Sequence, residues 1–173
     1  MDGREEGEVR TIILGGPSRG KSTLAESYKA RGIPVFCGDP ASTVLYQKAG
    51  TTYLPEGLPF AGDGGGGDWV ARNWFLMPGP WVCEGHVMAR ALRRWLDHYD
   101  RSRGDPRTDP ERMPADRIIV LDCPAHRYTG DGRERMHRSV IKVWREVEHR
   151  FPRSMVETRT EIQPLLGDVD PLR

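Results

Sequence analysis

The chain has 173 residues, with 26 basic and 25 acidic side chains and a formal net charge of +1. That length supports one domain with a buried core, and the balanced charge provides no global field to drive the chain onto nucleic acid or a membrane surface. Cys37, Cys83 and Cys123 stand far apart with no C-x-x-C spacing, which argues against a disulfide framework or a zinc cluster and fits a reducing compartment such as the cytoplasm.

Residues 1–8 read as a charged polar arm with no signal-peptide pattern, and no apolar run approaches the ~18 residues of a membrane span. Val9–Leu14 is an apolar stretch suited to a buried strand. It runs into Gly15-Gly16-Pro17-Ser18-Arg19-Gly20-Lys21-Ser22-Thr23, which has the G-x-x-x-x-G-K-S spacing of a phosphate-binding loop, and a helix is expected to follow to about Arg31. The strand–loop–helix setting gives this pattern its mechanism. Glycines let the backbone N–H groups of Gly16–Ser22 converge on phosphate oxygens, and the helix N-terminus adds partial positive charge. Lys21 can reach the β- and γ-phosphates of a nucleotide, and Ser22 can hold Mg²⁺ through its hydroxyl. Gly15, Gly16, Ser18, Arg19, Gly20, Lys21, Ser22 and Thr23 are therefore the expected ATP-binding residues. The bland alternative is a glycine-rich turn with a chance Lys-Ser.

Gly32 and Pro34 end the first helix, and Ile33–Cys37 reads as a second short buried strand. It leads into Gly38-Asp39-Pro40, so Asp39 lies just past a strand end, eighteen residues after Lys21. In open α/β sheets that is where ligands bind. Ala41–Ala49 suits a short helix. Gly50–Gly67 reads as irregular, with Asp63-Gly64-Gly65-Gly66-Gly67 as a flexible hinge. Asp68 can cap a helix over Trp69–Leu76. Trp69 and Trp74 are then either core or an aromatic wall for an acceptor base or sugar.

Trp81–Cys83 reads as a third strand ending at Glu84, a second carboxylate at a strand terminus. Glu84 could accept from an acceptor hydroxyl, hold a Mg²⁺-bound water, or cap the next helix. That helix, Val87–Tyr99, buries Val87, Ala91, Leu92, Trp95 and Leu96 and places Arg90 nearest the site. Asp100–Asp116 reads as a surface loop. Arg117–Asp122 is a strong strand, and Asp122 at its end could be a Walker-B aspartate, so either Asp122 or Glu84 could back Ser22 at the metal. His126–Arg138 is dense in arginine and punctuated by Gly130 and Gly132. The segment 123–135, with Arg127, Arg133 and Arg135, is expected to be a mobile lid that clamps phosphates, the alternative being an exposed charged turn. A helix Glu134–Phe151 and a short strand within Ser154–Ile162 close the chain. The five histidines show no zinc-ligand spacing.

A phosphate loop opening the chain, a carboxylate after strand two and an arginine-rich segment before a late helix resemble the P-loop kinases that phosphorylate small molecules, nucleosides, nucleotides and polynucleotide ends. The stretches Thr52–Leu58 and Trp81–Leu92 also look like small phage-encoded P-loop proteins. Some phage P-loop kinases phosphorylate 5-hydroxymethyluracil within DNA during base hypermodification. The resemblance implies an α/β P-loop three-layer fold as a single domain over 1–173, with a parallel sheet, helices on both faces, an arginine-rich lid and mobile segments at 50–67 and 123–135. It implies ATP and Mg²⁺ as cofactors and a nucleoside, nucleotide or DNA acceptor. By position it implies Asp39 as the residue that activates the acceptor hydroxyl and Arg127, Arg133 and Arg135 as lid arginines. Trp69, Trp74, Glu84 and Arg90 are the expected acceptor side. The chain departs from the nucleoside-monophosphate kinases in its long glycine-rich insert and short C-terminus. The alternative from another class is a P-loop ATPase or nucleotide-binding partner protein, although the N-K-x-D base-reading motif of GTPases is missing. From Met88 to Arg159 there are 17 basic residues against 12 acidic ones, a surplus that favours a polyanion on that side.

Overall fold

The computed structural model describes residues 9–38, 51–53, 65–102, 113–125 and 130–161. Six strands form one sheet: β1 (Arg10–Gly15), β2 (Val35–Cys37), β3 (Thr51–Tyr53), β4 (Trp81–Gly85), β5 (Arg117–Leu121) and β6 (Val156–Arg159). Their spatial order is β3-β2-β4-β1-β5-β6, and every neighbouring pair is parallel. Among the described residues four α-helices accompany them: α1 (Lys21–Lys29), α2 (Gly65–Asn73), α3 (Met88–Ser102) and α4 (Asp131–Val147). None of the described helices is long and apolar enough to cross a membrane.

The two-residue period of a strand explains why both sheet faces are covered. Ile13, Val35, Val82, Ile119 and Leu121 point to one face and pack with Leu24, Ala25 and Tyr28 of α1. Ile12, Leu14, Trp81, Cys83, Ile118 and Val120 point to the other, where α2, α3 and α4 contribute Val70, Leu92, Leu96, Val140 and Trp144, joined by Trp74 just past α2. The result is a three-layer α/β arrangement.

Chain direction decides where a ligand can enter. From β1 the chain crosses through α1 to β2 on one side, and from β4 it crosses through α3 to β5 on the other. β1 and β4 are adjacent, so their carboxyl ends flank the crevice where the winding reverses. The glycine-rich loop leaves β1 at that crevice, and Glu84 is the fourth residue of β4.

Several local expectations shift. Thr51–Tyr53, read as irregular, forms the edge strand β3 against β2; three residues rich in threonine carry little periodic signal. Gly65–Gly67, read as a hinge, form the first turn of α2. Gly67 serves close packing instead: a Cβ there would stand 3.1 Å from the Arg90 Cβ. α4 begins at Asp131 and is followed by a 3-10 turn, Glu148–Arg150, so the late helix starts and ends earlier than expected. The remainder of the 50–67 segment lies outside the described residues.

The aromatic pair resolves toward packing. Trp74 is 3% exposed, lies 5.4 Å from the Phe36 ring and meets Trp69 edge-on at 5.5 Å. Trp74 is thus a core residue and not an open stacking wall; Trp69, half-buried, leans on the same core. Trp74→Ala should lower folding stability by about 3–5 kcal/mol, measured as a shift of the urea midpoint. Unchanged stability with lost ligand binding would return Trp74 to the acceptor side.

Candidate functional site

β1 delivers Gly15 against Leu121, and the chain then turns through Gly16–Gly20. Ser18 (φ 56°) and Gly20 (φ 86°) both take left-handed backbone angles. Alternating left- and right-handed residues point successive N–H groups into one concavity, the geometry of an anion nest. α1 begins at Lys21 directly after Gly20, with no side-chain cap and no acidic residue in its first turn. The positive end of that helix is therefore left to whatever anion occupies the loop. Lys21 is 4% exposed, and its Nζ donates to the Gly16 carbonyl at 2.9 Å, closing the loop over itself.

The neighbouring strand supplies the carboxylate. Glu84 lies opposite Ile13 of β1 and Cys37 of β2 in the parallel register and is 3% exposed. The Ser22 hydroxyl donates to Glu84 Oε1 at 3.1 Å. A hydroxyl and a carboxylate, both hard oxygen donors beside an anion nest, suit Mg²⁺, which keeps several waters and takes few protein ligands. Among the described residues no group of three His, Cys, Asp or Glu side chains converges, so a dedicated all-protein metal cage is not what these residues build.

Asp122 is engaged elsewhere. Its Oδ1 faces His137 Nε2 at 3.2 Å, and its Oδ2 lies 3.6 Å from Arg145. Of the two carboxylates considered for the Ser22 metal, the structure brings Glu84 to the serine, and Asp122 sits on the opposite side of β1 beneath α4. His137 in turn accepts the Gly16 N–H at Nδ1, 3.2 Å away. Nδ1 can accept only without a proton, so the ring is the Nε2–H tautomer, donating to Asp122. Burial, then the nearby Arg19 charge, hold the His137 pKa below its ordinary value, outweighing the opposing pull of Asp122 and Glu134.

Arg19 is the other clamp. It is 5% exposed; its guanidinium donates to the Cys123 carbonyl at 2.8 Å and to Glu134 Oε2 at 2.6 Å. Its backbone stays in the loop, but its side chain ties the loop to the end of β5 and the first turn of α4 and does not project as a phosphate ligand. The Cys83 and Cys123 thiols are pushed up by burial and are not poised as nucleophiles. A 520 Å³ pocket beside this lock is lined by Asp122, His137, Arg138, Ile141, Lys142, Arg145 and Glu146.

Other expected site residues fall as follows. Asp39 and Arg127 lie outside the described residues; Gly38, which precedes Asp39, donates its N–H to the Glu84 carbonyl at 2.7 Å. Arg133 and Arg135 are exposed in the first turns of α4, and two residues apart on a helix they cannot share a face. Arg133 shares the His137 side, whereas Arg135 aligns with Arg138 and Lys142. Arg90 is exposed at the start of α3 beside His86 and Met136. Thr23 is exposed one residue beyond Ser22. His137 was not anticipated from sequence. The available signal is that it occupies the stripe it forms with Val140, Ile141 and Trp144, a polar side chain at an apolar position of an amphipathic helix.

No protein-family model, curated protein or solved structure matches the chain.

Replacing Arg19 by Met should lower stability by about 1–3 kcal/mol by removing two charge-assisted hydrogen bonds, read as a lower urea midpoint. An unchanged midpoint with weaker anion binding would instead make its guanidinium a phosphate ligand.

Proposed function

We propose that the chain is an ATP-dependent kinase that transfers the γ-phosphate to a hydroxyl of a nucleic-acid-type acceptor: a nucleoside, a nucleotide, or a hydroxymethylated pyrimidine in DNA. The observation that carries this reading is the loop itself. A G-x-x-x-x-G-K-S stretch leaves the central strand of a parallel sheet, enters an uncapped helix, and sets its serine on a buried glutamate from the adjacent strand.

Each group then has a physical task. Loop N–H groups and the α1 N-terminus would hold the β- and γ-phosphates, with Lys21 swinging from the Gly16 carbonyl to a phosphate oxygen. Ser22 and Glu84 would hold Mg²⁺, which when bound neutralises charge on the phosphates. Asp39 would orient the acceptor hydroxyl and take its proton as the new O–P bond forms and the β–γ bridging O–P bond breaks. Arg133, one turn before His137 on α4, would meet transition-state charge; Arg135 lies on another face of the helix.

An acceptor with a nucleic-acid backbone is supported by α4. Arg135, Arg138, Lys142 and Arg145 recur at spacings of three, four and three, which aligns them on one exposed helical face. Such a stripe suits a row of backbone phosphates.

The direct test is labelled ATP with nucleosides, nucleotides, 5′-hydroxyl oligonucleotides and hydroxymethylated DNA as acceptors. Label should appear on one acceptor class and vanish in Lys21→Ala. Release of inorganic phosphate at a rate no acceptor changes would favour the ATPase reading. For the DNA arm, an Arg138→Gln/Lys142→Gln double variant should reduce the slope of log affinity against log salt by about 0.7–0.9 per charge removed. An unchanged slope would leave free nucleosides and nucleotides as the acceptors.

A further inference from the structure

Gly16 and His137 are 121 residues apart in sequence, yet they meet more closely than any side chain at position 16 would permit. A Cβ on Gly16 would stand 2.3 Å from the His137 Cβ and 2.8 Å from its Nδ1. The glycine is thus required here by the histidine. The contact is directional: the Gly16 N–H donates to Nδ1, Nε2–H donates to Asp122 Oδ1, and Asp122 Oδ2 faces Arg145. On the opposite side of Gly16, its carbonyl holds Lys21. One residue therefore carries both the lysine and the histidine, through the two peptide units that flank its Cα.

We propose that His137 is a positioning residue for the phosphate loop: its unprotonated Nδ1 latches the Gly16 N–H, and so fixes the residue whose carbonyl holds Lys21 and couples the loop to α4. This rests on the proposed nucleotide-binding role of the loop. The latch has a chemical condition. A proton on Nδ1 turns the acceptor into a donor, and the Gly16 N–H then faces N–H at 3.2 Å. The groups that bear on that proton come from every neighbouring element. Asp122 at the end of β5 and Glu134 one turn back on α4 favour it. Arg19 in the loop opposes it, as burial does. Arg138, Lys142, Arg145 and Glu146 line the pocket on the outer side of the ring. In the folded protein the neutral ring is preferred, so the latch is closed above the ordinary histidine pKa near 6.5. It is lost as pH falls through the lower folded value.

Asparagine at 137 separates the latch from its titration, because the Asn Oδ1 occupies the place of Nδ1, accepts the same N–H and takes no proton. Leucine removes the latch. ATP affinity should be measured from pH 5.0 to 8.0 for the wild-type protein, His137→Asn and His137→Leu. The titration of the nucleotide's own phosphate is common to all three, so differences between profiles report residue 137. The expected result has three parts. Wild-type affinity falls more steeply below pH 6.5 than that of the Asn variant. The Asn variant binds within about 3-fold of wild type at pH 7.5. The Leu variant binds about 3- to 10-fold more weakly at every pH, the range for one lost hydrogen bond. Amide exchange at Gly16 without nucleotide should be protected in wild type and Asn and faster in Leu. Parallel pH profiles for wild type and Asn, or an unprotected Gly16 in wild type, overturn the latch while leaving nucleotide binding intact. If none of the three proteins binds ATP at any pH, the function reading fails and the latch's role goes with it. Should the Leu variant fail to fold, the wild-type and Asn profiles alone decide.

Discussion

The parallel pairing of β1 with β4 is the constraint on which the site depends. Its register sets Ile13 beside Glu84 and puts the carboxyl ends of both strands at the same height. The loop turning out of β1 therefore starts α1 directly above a glutamate that is 3% exposed. A carboxylate that far from water demands compensation, and the Ser22 hydroxyl supplies part of it. A different neighbour for β1 would leave the same nine-residue motif without an oxygen partner from the sheet. The topology thus converts a local anion nest into a site with a serine, a lysine and a carboxylate around one point.

A second set of contacts holds the loop from the other side. Arg19 grips the end of β5 and Glu134, and His137 grips Gly16. Both partners lie on or next to the segment between β5 and α4. Backbone alone could not keep a glycine-rich turn in one conformation against its entropy. Here two buried, directional side chains hold it, so little ordering would remain to be done if an anion entered. That economy is the general advantage of a preorganised electrostatic site. The same contacts join the loop to Cys123 and to the start of α4.

The fold was readable from sequence to the extent that buried parallel strands are continuous apolar runs. Ile12-Ile13-Leu14 and Ile118-Ile119-Val120-Leu121 declare themselves, and the glycine–lysine spacing marks the turn between β1 and α1. Thr51–Tyr53 did not, because an edge strand of three residues with two threonines has no pattern to see. Strand order was not readable either, since β4 enters between β2 and β1 through long-range pairing that no local propensity encodes. This is why Asp122 and Glu84 were equivalent on paper and are distinct in space. Helical phase settled other questions. Arg133 and Arg135 look like one cluster in a line of text, and the 100° step of a helix separates them. Trp74 illustrates the opposite case, in which packing, the commoner fate of an aromatic residue, prevailed over a ligand wall. His137 was hidden because its partner is 121 residues away, although its place in the apolar stripe of α4 was a visible anomaly.

Gly15–Ser22 and Glu84 would together form one cradle for a nucleotide with its magnesium ion, with loop N–H groups on the phosphates and the Ser22 and Glu84 oxygens on the metal. Calorimetric titration of ATP into the wild-type protein and Glu84→Gln, each with and without Mg²⁺, tests it most directly. The account predicts that Mg²⁺ tightens ATP binding to the wild-type protein and that Glu84→Gln loses most of this gain while still binding free ATP through the loop. Equal Mg²⁺ dependence in the two proteins, or no ATP binding by the wild-type chain, would contradict it.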